Sequence, residues 1–143
     1  MNTQKISQSD LQDANVNLKL KLASMWTSVM FLIVYIVYFH LFMPGSLKDI
    51  LAGKVFLFDI TQIFLLAALA TVIFPALMIF LSVALPAKIN RWANIIIAAI
   101  KIPMLVLNLA GEAWMHMMVG TAIEIFLLCL VIFYAWKWPR VEA

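Results

Sequence analysis

The stretch ITQIFLLAALATVIFPALMIFLSVAL, residues Ile60 to Leu85, carries no charged side chain. A helix of about 20 apolar residues crosses a hydrocarbon layer of about 30 Å, and it satisfies its backbone hydrogen bonds internally, as lipid requires. This stretch therefore predicts a membrane-spanning helix. Pro75 interrupts it, and because proline lacks an N–H group it frees the carbonyl of Thr71 inside the membrane.

Three further apolar runs of similar length flank this stretch: Leu22 to Met43, Trp92 to Ala110 and Trp114 to Trp136. The chain of 143 residues is 66% hydrophobic and 12% charged, whereas a soluble domain is about half apolar and a quarter charged. We predict an all-α integral membrane protein, a four-helix transmembrane bundle. The whole chain, 1–143, forms one membrane domain, in which 1–21 is a polar cytoplasmic tail.

The segment between the first two spans predicts a surface element. Pro44 and Gly45 end the first span, since proline cannot continue the helical hydrogen bonds and glycine tolerates the turn. After them SLKDILAGKVFLFD, residues Ser46 to Asp59, is amphipathic and too short to span. It indicates a short helix that is interfacial or partly re-entrant.

Basic residues are unequally distributed between the two ends of the predicted bundle. Only Lys48 and Lys54 fall at one end, whereas the other end carries Lys5, Lys19, Lys21, Lys88, Arg91, Lys137 and Arg140. Because cytoplasmic segments carry the excess of lysine and arginine, both termini are expected in the cytoplasm, next to anionic lipid. Amphipathic indoles prefer the headgroup layer, which is expected at this end for Trp26, Trp92, Trp136 and Trp138.

The segments YFHLFMPGSLKDILAGKVFLFDITQ, from Tyr38 to Gln62, GEAW, from Gly111 to Trp114, and YAWKWP, from Tyr134 to Pro139, carry a family resemblance. From about Leu18 onward the chain resembles a family of small four-span bacterial inner-membrane proteins with no assigned activity. Its general size is also similar to that of the DoxX-like four-span proteins. The resemblance implies the fold, a bacterial origin and the inner membrane, and it carries over no functional residue.

Two charged residues lie deep in the predicted spans. Lys101 is roughly ten residues past Arg91, so about 15 Å into the membrane, and Glu124 reaches a similar depth on the antiparallel fourth span. An isolated charge at the bilayer centre costs at least about 2.5–3.5 kcal/mol, which a partner offsets in part. We expect Lys101 opposite Glu124. A structural ion pair and a functional one explain this arrangement equally well.

Other polar residues share the helix faces of this pair. On the third span Asn94, Lys101 and Asn108 recur every seven residues, with Glu112 four residues later. On the fourth span His116, Gly120 and Glu124 recur every four residues, and the glycine allows close approach of another helix. The spacing predicts two facing polar stripes, and Pro103, like Pro75, frees a carbonyl at middle depth.

A second polar group falls at the ends of the spans far from the basic end. It consists of His40, Asp59, Glu112 and His116. These side chains are expected to line the mouth of a cavity that leads to Lys101 and Glu124. Histidines and carboxylates also bind metals, but no His-x-x-x-His or comparable spacing occurs, so no metal and no cofactor are expected.

The sequence lacks the motifs of several common functional classes. The single cysteine, Cys129, allows no disulfide within the chain and no Cys-x-x-Cys site, and no Ser-His-Asp set, Walker loop or haem signature is present. The basic residues flank apolar segments instead of forming a patch, which argues against nucleic acid. Membrane lipids are the expected partners, and since four spans are few for a complete transporter, a homo-oligomer or a membrane partner is also expected.

Three functions remain open at this point. The leading one is a membrane-embedded binding or ion- and proton-conducting protein, with a polar cavity gated by Lys101 and Glu124. The second is an intramembrane acid–base enzyme in which His116, Glu112 and Glu124 act on a lipid-like substrate, which predicts an apolar cavity of several hundred cubic ångströms. The third is a structural accessory subunit. Of these, the chain favours a function other than catalysis.

Overall fold

The computed structural model describes residues 15–110 and 114–139. Within them the chain forms five helices and one small hairpin: α1 (Leu18–His40), α2 (Ser46–Leu51), β1 (Lys54–Val55), β2 (Phe58–Asp59), α3 (Gln62–Ala84), α4 (Ala87–Asn108) and α5 (Met115–Trp136). Four of the helices, α1, α3, α4 and α5, are long and apolar enough to cross a membrane. The prediction of a helical four-span protein is confirmed.

The four long helices are not packed equally tightly around the bundle. Helix α1 packs along both α3 and α5, and α5 packs along α4. Helices α3 and α4 are consecutive in the chain, but they touch each other over a short stretch only. One side of the bundle, between α3 and α4, is therefore loosely closed.

Two of the long helices begin before the apolar runs that predicted them. Helix α1 begins at Leu18, because the Asn17 side-chain oxygen accepts a hydrogen bond of 2.9 Å from the backbone N–H of Lys19. Helix α4 begins at Ala87, directly after Pro86, which stands at its N-cap. Both extensions contain charged residues, so the backbone hydrogen bonds of each helix continue past the uninterrupted apolar segment that predicted the span.

The segment between α1 and α3 differs from the single interfacial helix expected there. Helix α2 has six residues, and the remainder of the segment forms an antiparallel hairpin that pairs Val55 with Phe58. Gly45 and Gly53, at φ +91° and +79°, provide the two turns on either side of α2. Left-handed backbone of this kind is accessible to glycine without strain, which explains why the helix is confined between them.

One end of the bundle gathers basic side chains. Lys19 Nζ donates to the backbone oxygen of Leu85 at 2.7 Å, at the C-terminus of α3, where the helix dipole favours a cation. The Arg91 guanidinium lies over the rings of Trp92 and Trp136, 5.6 and 5.5 Å from their centroids. We call this the basic end; its described cations are Lys19, Lys21, Lys88, Arg91 and Lys137.

A buried hydrogen-bond network lies just inside the basic end. Asn94 Oδ1 accepts from Trp26 Nε1 at 2.7 Å and from Ser82 Oγ at 3.3 Å, while Asn94 Nδ2 donates to Asn90 Oδ1 at 2.6 Å. All four side chains are fully buried. The headgroup location expected for Trp26 is therefore wrong, because the indole N–H finds its acceptor inside the bundle.

Apolar side chains fill the same half of the bundle around this network. Leu22, Val29, Met78, Leu128 and Val131 are each 0% exposed and form one cluster. They come from α1, α3 and α5, so these three helices are held together near the basic end. The described residues of the opposite half do not form a comparable core, which leaves space between the helices there.

Helices α1 and α5 approach closely at Gly120. A Cβ atom built there would lie 2.5 Å from Cδ1 and 2.8 Å from Cγ1 of Ile36. These distances are shorter than van der Waals contact, so the absence of a side chain at Gly120 sets the spacing of the two helices.

The Asn94 network makes a testable contribution to stability. Asn94→Leu leaves the buried Trp26 N–H without its acceptor, and we expect a loss of about 1–3 kcal/mol in the free energy of unfolding. The measurement is unfolding by sodium dodecyl sulfate in mixed micelles, followed by tryptophan fluorescence. Asn108→Leu, the same change at an exposed position of the same helix, is the control and should shift stability by less than about 0.5 kcal/mol. Equal losses in both variants would contradict this role of Asn94.

The contact at Gly120 predicts a non-additive pair of substitutions. Gly120→Ala forces the Ile36 side chain out of place, with an expected loss of about 1–3 kcal/mol in the free energy of unfolding. Ile36→Ala removes both of the atoms that clash. The double variant should therefore be more stable than the sum of the two single losses predicts, in the same unfolding measurement. Simple additivity would show that the two positions are not in contact.

Candidate functional site: a cavity between the helices

A cavity of about 800 Å³ lies in the half of the bundle opposite the basic end. Its walls come from the second halves of α1 and α4 and the first halves of α3 and α5, and residues 55–58 of the hairpin border it. Most of the lining side chains are apolar. The polar residues that line it are His40, Thr71, Lys101, Asn108, Thr121 and Glu124.

Lys101 is held in the cavity wall by a backbone carbonyl of the neighbouring helix. Its Nζ atom donates a hydrogen bond of 3.1 Å to the backbone oxygen of Thr71. Pro75, fully buried in α3, cannot supply the helical N–H that this oxygen would otherwise accept. The buried ammonium group and the orphan carbonyl thus satisfy each other, and the bond links α3 to α4 where these helices have few other contacts.

Glu124 lies on α5 in the same cavity and is 1% exposed. Its Oε1 atom has no hydrogen-bond partner among residues 15–110 and 114–139. Lys101 and Glu124 therefore share one cavity, but the hydrogen bond of the lysine goes to Thr71 rather than to the carboxylate. A buried carboxylate oxygen with no partner is energetically unfavourable, so it is the atom of this site most in need of a ligand.

The two asparagines predicted on the same face of the third span as Lys101 lie in different parts of the structure. Asn94 belongs to the buried network near the basic end and does not line the cavity. Asn108, the last residue of α4, lines the cavity and is exposed. Among the described residues of the predicted stripe on the third span, Lys101 is thus the only buried one that lines the cavity. The lining is mainly apolar and not the polar path that was expected.

The predicted outer group is only partly assembled among the described residues. His40 lines the cavity and stacks on Phe56 of the hairpin, with ring centroids 5.8 Å apart. His116 does not line the cavity; it packs against Phe39, and its buried Nε2 atom has no partner within the described part of the chain. Asp59 is exposed on β2. The prediction for Glu112 falls outside the residues that the structure describes.

Metal binding gains no support from the arrangement. Across residues 15–110 and 114–139, no three histidine, cysteine, aspartate or glutamate side chains come together as a metal site would require. Lys101 and Glu124 instead place one hydrogen-bond donor group and one acceptor group in a mainly apolar space. Such an arrangement suits the recognition of a small molecule that is largely apolar.

Sequence reasoning missed two parts of the site. Thr121 is 6% exposed and lines the cavity one turn before Glu124, a spacing that the sequence does contain. The hairpin is the other part: Phe56 adopts a left-handed backbone with φ 57°, unusual for a bulky residue, and this turn residue lines the cavity beside His40. No residue pattern indicated that conformation.

Comparison with known proteins identifies a family and assigns no activity. A search of curated proteins and a search of solved structures each gave no match. A family model described as a family of unknown function, DUF6326, matches residues 11–143. This match covers nearly the whole chain, including all four helices long enough to span a membrane. The protein belongs to the DUF6326 family, which confirms the resemblance to small four-span proteins of unassigned activity.

Proposed function

We propose that the protein is a membrane-embedded binding protein whose cavity takes a membrane-soluble small molecule with a polar head and an apolar body. The observation that carries this proposal is the cavity of about 800 Å³, mainly apolar, with Lys101 and Glu124 in its wall. Binding sites for small molecules typically have volumes of about 300–1,000 Å³, apolar walls and a few convergent polar groups.

The surface around the cavity supports access from the lipid. Leu69 of α3 and Leu107 of α4 both line the cavity, and they are 56% and 72% exposed. The mouth of the cavity therefore reaches the outer surface of the bundle, on the side where α3 and α4 touch least. A molecule dissolved in the bilayer enters here without crossing water, so membrane lipids are the partners that this geometry favours.

The location of the basic end gives the proposal an orientation. With the basic end in the cytoplasm of a bacterial inner membrane, as the excess of cations supports, both termini are cytoplasmic and the cavity opens in the outer half of the membrane. Helix α2 and the hairpin then lie at the outer interface. Homo-oligomers and further membrane partners are compatible with this arrangement.

Ion conduction is less well supported than binding. A conducting path needs polar groups or water along its length, whereas the lining of this cavity is mainly apolar. The enzyme alternative shares the apolar cavity with the binding proposal, but His116, one of its three expected acid–base groups, does not line it. Binding alone requires no group beyond those in the cavity.

A cavity-filling substitution tests the proposal. Ala68 lines the cavity, while the neighbouring Ala67 does not. We expect Ala68→Trp to abolish retention of bound lipid-soluble molecules, because the indole occupies their space, and Ala67→Trp to retain them like the parent. The measurement is native mass spectrometry of protein purified in mild detergent and then incubated with a total extract of bacterial lipids. Equal retention by both variants, or none by the parent, would contradict the proposal.

The two charged residues separate binding from a purely structural role. Lys101→Met leaves the Thr71 carbonyl without a donor, with an expected loss of about 1–3 kcal/mol in the free energy of unfolding. Glu124→Gln should cost less than about 1 kcal/mol, since Oε1 has no hydrogen bond to lose, but it should still lower ligand retention several-fold. Stability is measured by detergent unfolding and retention by native mass spectrometry. If the protein were only a structural subunit, Glu124→Gln would give the reverse result: a large loss in the free energy of unfolding and no change in ligand retention.

A further inference from the structure

We infer that the ligand carries a neutral polar head that both accepts and donates a hydrogen bond, in its simplest form a hydroxyl group on a long apolar body. This inference rests on the proposed function and specifies the chemistry that the same cavity selects. The two groups that carry it are the ammonium of Lys101 and the carboxylate of Glu124.

The hydrogen-bonding capacity left over in the cavity sets the requirement. A lysine ammonium has three N–H donors, and the structure assigns one of them to the Thr71 carbonyl. On the other side, Glu124 Oε1 is a buried acceptor to which no described residue donates a hydrogen bond. A group that satisfies both must accept from the lysine and donate to the glutamate, as a hydroxyl does.

The charges of the wall argue against an ionic head. An anion drawn to Lys101 is repelled by Glu124, and a cation drawn to Glu124 is repelled by Lys101. Either ion would also give up its hydration in a mainly apolar space, which is far more unfavourable than for a neutral polar group. Lys101 and Glu124 are opposite charges in the wall of one cavity, and the complementary ligand group is a dipole and not an ion.

The rest of the lining fits a single apolar body. Apolar side chains from four helices and the hairpin surround the two charged groups, and Thr121, one turn before Glu124 on α5, adds a hydroxyl to the same wall. A head that is small and neutral leaves this surface to the chain behind it. Long-chain alcohols and lipids with a free hydroxyl group have this chemistry.

Four ligands with the same chain and different heads test the inference: 1-hexadecanol, hexadecanoic acid, hexadecylamine and hexadecane. Saturable binding of each tritiated compound is measured on the full-length protein in nanodiscs, with empty nanodiscs as background. In the parent protein we expect 1-hexadecanol to bind at least about tenfold more tightly than each of the others, since one satisfied buried hydrogen bond is worth about this factor.

Variants give a signature that loss of folding cannot imitate. With Glu124→Gln the remaining charge is the lysine, and the preference should shift from the alcohol to the acid. With Lys101→Met it should shift from the alcohol to the amine. Lys48→Met, on α2 and outside the cavity lining, is the control and should keep the preference of the parent.

The outcomes distinguish this inference from the proposal beneath it. Tightest binding of the acid or the amine by the parent overturns the neutral head and leaves the binding function standing. Equal binding of all four compounds, hexadecane included, also overturns the neutral head and leaves the binding function standing. Saturable binding of none of the four overturns the binding function together with the inference.

Discussion

The hydrogen bond from Lys101 to the Thr71 carbonyl, 3.1 Å long, is the interaction on which the rest of the structure depends. It resolves two local problems at once, because a buried ammonium needs an acceptor and the residue four before Pro75 has an acceptor without a donor. It also crosses the one side of the bundle where neighbouring helices touch little. This hydrogen bond therefore joins α3 to α4 at the level of Lys101, and the cavity lies beside it, where the two helices are apart.

The two halves of the bundle differ in how their polar groups are satisfied. Near the basic end Trp26, Ser82, Asn90 and Asn94 bond to one another within an apolar core. In the opposite half, Oε1 of Glu124 has no hydrogen-bond partner from the described residues and lies at the cavity. Satisfied polar groups stabilise a fold, and unsatisfied ones at a cavity point to a ligand. The half that packing leaves incomplete is therefore the half in which we propose that a ligand binds.

Helices α1 and α5, which both line the cavity, approach each other closely at Gly120. With α1 packed along α3 and α5 packed along α4, three of the four helix interfaces are extensive. The fourth interface, between α3 and α4, is held by Ser82 and Asn94 near the basic end and by the hydrogen bond of Lys101 to Thr71 beside the cavity. In the binding function that we propose, a ligand that bonds to Lys101 therefore contacts the boundary where neighbouring helices touch least.

The sequence by itself determined the four spans, the single interruption of α3 at Pro75 and the presence of a buried lysine and glutamate, since apolar length and helical spacing are local properties of the chain. It also indicated the close approach at Gly120. The tertiary structure alone decided which partners the polar residues take: Asn94 joins Trp26, and Lys101 bonds to Thr71 instead of Glu124. Periodicity states which face of a helix a residue occupies, but not which neighbour that face meets. Only the packing of α3 against α4 brings the freed carbonyl to the lysine and leaves the cavity beside it.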